Sequence, residues 1–156
     1  MSENAPDVLD LLMRHELAVK KLYEAFAALF PDRQGFWRQI ASEEANHAHW
    51  LEALGSEPAF KSWFRLDSRL KPRAIESSIS YVDAQAVKAH QGQFTLLEAL
   101  SVSADLENAI LEKQFARMQG AAPSRVRSIL TDLTAETERH RAALIDALDA
   151  EKRQLR

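Results

Sequence analysis

Residues 36–51, FWRQIASEEANHAHWL, carry an apolar series at Trp37, Ile40 and Leu51 whose continuation in steps of three and four passes through Glu44 and His47. Such steps keep side chains on one face of a helix, and a face bearing Trp, Ile and Leu is one that becomes buried. A carboxylate on that face is costly without a partner, because burial removes the water that solvates its charge. Glu44 and His47 stand three residues apart and project together. Glu-x-x-His on the inward face of a helix is a ligand arrangement for a metal ion held inside a helical bundle. The helix is expected from about Gln34 to Leu54, with Gly55 as its C-terminal stop.

The same interruption recurs in three other amphipathic segments. Before this helix, a first one is expected from near Pro6 to just short of Pro31, with the series Leu9, Leu12, Glu16, Val19, Tyr23, Phe26 and Phe30. The break Pro31-Asp32-Arg33 allows an antiparallel return. After it, residues 55–75, GSEPAFKSWFRLDSRLKPRAI, read as a crossover with a short helix between Pro58 and Pro72, its aromatics capping one end of a bundle. A long third helix is expected from Ile75 or Ile79 to Gln119, with Leu97, Leu100, Ala104, Glu107, Leu111 and Met118 along its seam. GAAPS at 120–124 ends it. A fourth helix then runs from about Arg125 to Glu151 through Leu130, Leu133, Thr137, His140 and Leu144, followed by a fraying tail, EKRQLR. Tyr23 reads as a core tyrosine, His15 and His49 as surface residues off the seams, and His90 as a structural residue away from the polar level.

Each seam therefore turns polar near its middle, and no Lys or Arg lies on the seams to neutralise Glu16, Glu44 and Glu107. Carboxylates that converge in a core need protons, water or a cation. A faint internal repeat points the same way: 36–51 aligns without gaps on 129–144, ILTDLTAETERHRAAL, so that His47 falls on His140. ELAVKKLYEAF from Glu16 likewise resembles ENAILEKQFARM from Glu107. The alternative is a buried hydrogen-bonded network without metal.

Composition narrows the chemistry. The 156 residues suit a single domain, 1–156, and only 4 Gly and 5 Pro interrupt long helices. There is no cysteine, so thiolate-held zinc, iron–sulfur clusters and thiol catalysis are excluded, and any metal is held by oxygen and nitrogen. Twenty basic and 23 acidic residues are closely mixed for a net charge of −3, which offers no footprint for nucleic acid or an anionic membrane surface. No basic, apolar leader and no membrane-length apolar run is visible, and a cytoplasmic location is expected.

At Glu16, Glu44-x-x-His47, Glu107 and His140 the chain resembles the ferritin-like superfamily and, within it, rubrerythrin-like proteins. The likeness covers roughly residues 8–54 and 95–150. It implies an all-α fold, a ferritin-like four-helix bundle with a long crossover between helices 2 and 3. It also implies a dimetal site in which Glu16 is a terminal ligand, Glu44 a bridge, and His47 a nitrogen ligand. Glu107 and His140 would hold the second metal. The fourth helix departs from the family pattern: Thr137-Glu138-Arg139-His140 has threonine in place of the bridging glutamate. Glu136, about 100° around the helix from that place, is expected to face outward or beside the ligands. Without cysteine there is no rubredoxin-like module. The further carboxylate associated with peroxide reduction in the family would fall at Ile110.

Two functions follow as expectations. One is a non-haem iron protein, with one iron or two and with manganese or zinc as other candidate ions, acting on dioxygen, peroxide or ferrous iron; as an enzyme it would be a di-iron-type oxidoreductase. The other is a non-catalytic ferritin-like protein for binding or assembly whose dimetal site has degenerated, as Thr137 and Ile110 favour. Self-association as a homodimer is expected, with Trp50 beside the seam as surplus aromatic surface.

Overall fold

A computed structural model of the chain describes residues 8–57, 71–107 and 124–155. Among them all regular structure is helical. The chain divides into two compact units, Met1–Gln91 and Gly92–Arg156.

The first unit contains α1 (Val8–Leu29), a 3-10 turn (Pro31–Arg33), α2 (Gln34–Gly55) and α3 (Pro72–His90). α1 packs against both α2 and α3. It therefore buries two stripes. The first is the expected seam, with Leu9, Leu12, Val19, Tyr23 and Phe26 buried. It meets α2 through Trp37, whose ring centroid lies 4.9 Å from Phe26 and 5.8 Å from Tyr23. The second runs Leu11, His15, Ala18, Leu22, Ala25 in the same steps of three and four. His15 is thus buried, not a surface residue, and its Nε2 lies 2.7 Å from Ser78 Oγ on α3. A residue off one seam is exposed only when its helix has one neighbour.

α2 buries every position of its predicted series, Trp37, Ile40, Glu44, His47, Leu51 and Leu54. Gly55 lies within the helix, and the turn closes after it as Ser56 N–H donates to the Ala53 carbonyl at 3.2 Å. A Cβ at Gly55 would stand 2.6 Å from Leu9 Cδ2, so the glycine admits the start of α1 against the end of α2. α3 starts at Pro72, where a proline costs no helical hydrogen bond, and buries Ile75, Val82 and Ala89. Most of the expected crossover, 58–70, lies outside the described residues, as does the start of the first helix at Pro6.

The second unit contains α4 (Leu96–Glu107) and α5 (Ser124–Gln154), packed on one another. The expected long third helix is two helices. α3 ends at His90, which is exposed, and Gly92 takes φ 70°. α4 then restarts with reciprocal caps: Glu98 N–H donates to Thr95 Oγ1 at 3.1 Å and Thr95 N–H to Glu98 Oε1 at 2.9 Å. The Gly followed by Thr-x-x-Glu in residues 92–98 is the signal of that break. α4 buries Ala99, Leu100, Ser103, Ala104 and Glu107; α5 buries Leu130, Leu133, His140 and Leu144. Instead of fraying at Glu151, α5 holds its turns to Gln154, where Lys152 and Arg153 suit the negative end of the helix dipole. Ile110, Leu111, Met118 and the 120–123 break fall outside the described residues. No described helix is long and apolar enough to cross a membrane.

Candidate metal centre

The seams of α1 and α2 bring Glu16, Glu44 and His47 together within the first unit. His47 Nδ1 lies 3.5 Å from Glu44 Oε2 and 3.7 Å from Glu16 Oε2. The His47 and Glu44 side chains are 2% exposed and that of Glu16 is 15% exposed. The imidazole is fixed by stacking on Trp50 one turn further along α2, with ring centroids 5.8 Å apart and planes 25° apart. Trp50, expected as surplus surface, is half-buried against a candidate ligand.

Burial pushes the Glu16 carboxyl up, but hydrogen bonding with Glu44 and His47 and the positive charges of His47 and His15 outweigh it. The group falls from 4.5 to about 2. An ionised oxygen in a nearly dry setting, beside a second carboxyl and an imidazole nitrogen, is a donor set for a cation. The spacing fits: two ligands each about 2.1 Å from one ion stand roughly 3.0–3.4 Å apart. The observed 3.5 and 3.7 Å separations are a few tenths wider than that, a gap side-chain torsions can close.

In the second unit Glu107 Oε1 lies 3.7 Å from His140 Nδ1, and both side chains are buried, at 7% and 3% exposure. Thr137 is half-buried, and its hydroxyl donates to the Leu133 carbonyl on its own helix at 2.9 Å. Thr134 does the same to Leu130 at 2.8 Å. Glu136 is half-buried, pairs with Arg139, and brings a carboxylate oxygen within 4.8 Å of a His140 ring nitrogen. Its spacing of four from His140 puts the two on one helical face. His49 is exposed, as expected, near Glu52.

Compared with family models, curated proteins and solved structures, the chain matches none.

Proposed function

We propose that this chain is a metal-binding protein of the ferritin-like, rubrerythrin-like kind, with a non-haem iron or manganese site acting on dioxygen, peroxide or ferrous iron. The observation that carries it is the position of His47 Nδ1, buried and facing two carboxylates at 3.5 and 3.7 Å. Glu16, Glu44 and His47 hold the ion. Two carboxylates balance the charge of a divalent cation, and three protein ligands leave coordination positions open. Bound iron would supply one-electron redox chemistry there. The protein's own part is to fix the ligands and limit water: Trp50 holds the imidazole plane, Trp37, Tyr23 and Phe26 make the adjoining core rigid, and Glu16 stays ionised to receive the cation.

Thr137 favours a second reading, a non-catalytic ferritin-like protein for binding or assembly, because its hydroxyl is occupied by the Leu133 carbonyl. Titration with Co(II) or Mn(II), followed by tryptophan fluorescence, tests the metal site. With His47 as a ligand, the stacked Trp50 is quenched on saturation; Trp50→Phe removes most of that quenching, and Glu16→Gln weakens the binding that causes it. Unchanged fluorescence together with no metal retained after dialysis would leave only the non-metal reading.

A further inference from the structure

We propose that Ser78 is a positioning residue for the metal site: its hydroxyl, bonded to His15, fixes the rotation of α1 about its own axis and so the place at which Glu16 meets Glu44 and His47. This rests on the metal-binding reading above and concerns what aims one of its ligands.

α1 serves two neighbours. Glu16 stands on the stripe that faces α2, with its Oε2 3.7 Å from His47 Nδ1. His15, the residue before it, stands on the stripe that faces α3, 5% exposed and with its Nε2 2.7 Å from Ser78 Oγ. Consecutive side chains leave a helix about 100° apart, so whatever holds one in azimuth holds the other. The rest of the stripe that faces α3, Leu11, Ala18, Leu22 and Ala25, is apolar. Apolar contacts favour burial without preferring a direction, whereas a hydrogen bond weakens steeply when bent. A carboxylate oxygen about 6 Å from the helix axis moves by about 1 Å when the helix turns by about 10°. That is several times the tolerance of a metal–ligand distance.

Ser78 is placed for this role. It lies on α3 in series with Ile75, Val82 and Ala89, which are buried. Hydroxyls elsewhere on the described helices turn back onto their own backbone: Ser103 donates to the Ala99 carbonyl at 2.7 Å and Thr134 to the Leu130 carbonyl at 2.8 Å. Ser78 instead meets a side chain 63 residues earlier, on another helix. Replacing it with alanine removes the bond and little else from the face that α3 turns to α1.

The test is a Co(II) titration of the full chain well below its unfolding temperature, followed by tryptophan fluorescence and by the ligand-field absorption of Co(II). Glu16→Gln identifies the step that belongs to this site. Ser78→Ala weakens that step by about three- to tenfold and shifts its absorption, a smaller loss than removal of a group bonded directly to a ligand. Ser78→Thr, which keeps the hydroxyl, stays within about twofold of the wild type. Ile75→Val trims the buried face of α3 without touching the bond; it lowers stability and leaves affinity and spectrum as they were. An affinity unchanged in Ser78→Ala, a loss that Ser78→Thr shares, or an equal loss in Ile75→Val overturns the proposal and leaves the metal site standing. No Co(II) bound by the wild type overturns the metal reading and the proposal together.

Discussion

Glu16 is held ionised although burial by itself pushes its carboxyl up. Its folded value of about 2 lies below its ordinary 4.5, so the sign is that of a stabilising carboxylate. The contribution is complete above about pH 4.5 and is lost as pH falls from there through 2. The shift corresponds to something on the order of 3 kcal/mol, shared with the histidine charges that cause it. Metal-free protein kept in chelator should lose stability over that window more steeply than Glu16→Gln does. Urea midpoints at about pH 6 and about pH 3 measure it. A wild-type advantage that is the same at both pH values would contradict the ionised Glu16 described here. His15 belongs to the same balance, one residue away on the other buried stripe of α1 and bonded to Ser78.

Among the elements, the break between α3 and α4 is the least expected and the most readily tested. A helix continuing past His90 would need Gly92 in an ordinary helical conformation; its φ of 70° instead suits a residue without a Cβ. Gly92→Ala should destabilise by about 1–2 kcal/mol, even though an added Cβ meets nothing within 4 Å, because the penalty lies in the backbone. Thr95→Ala removes one half of the cap on α4 and should cost about 0.5–2 kcal/mol. Both are read from denaturant unfolding. If Gly92→Ala were instead stabilising, the helix would run through, as the seam arithmetic alone suggested. On α1 the comparable lesson concerns neighbours: one helix with two partners buries two stripes, and a polar residue on either stripe is drawn inside.

For the molecule as a whole, metal binding and folding are linked by mass action. An ion that binds only the folded chain stabilises it by about 2.7 kcal/mol at a hundredfold excess over Kd. Thermal unfolding with Fe(II), Mn(II) or Zn(II) should therefore show a higher midpoint than unfolding in chelator, and Glu44→Ala should abolish most of the difference. A midpoint indifferent to every ion would remove Glu16, Glu44 and His47 as ligands. Glu44→Ala also deletes a buried carboxyl beside His47, so the comparison is between metal and chelator for each protein, not between the two proteins' absolute midpoints.

The all-helical class, the seam of α2 to the residue, and the burial of Glu44, His47, Glu107 and His140 were legible in the order of the amino acids. A helix advances about 100° per residue whatever surrounds it, so spacing alone decides which side chains share a face. Other features had to wait for three dimensions. That α1 has two packing partners, and so buries His15, depends on how many helices meet it, which no local period records. That Thr137 turns its hydroxyl onto Leu133, while Glu136 reaches towards His140, depends on side-chain torsions selected by the surroundings. The charge on Glu16 depends on distances to His15, Glu44 and His47 brought in by packing. Periodicity is a property of the chain, but neighbours, torsions and fields exist only once it has folded.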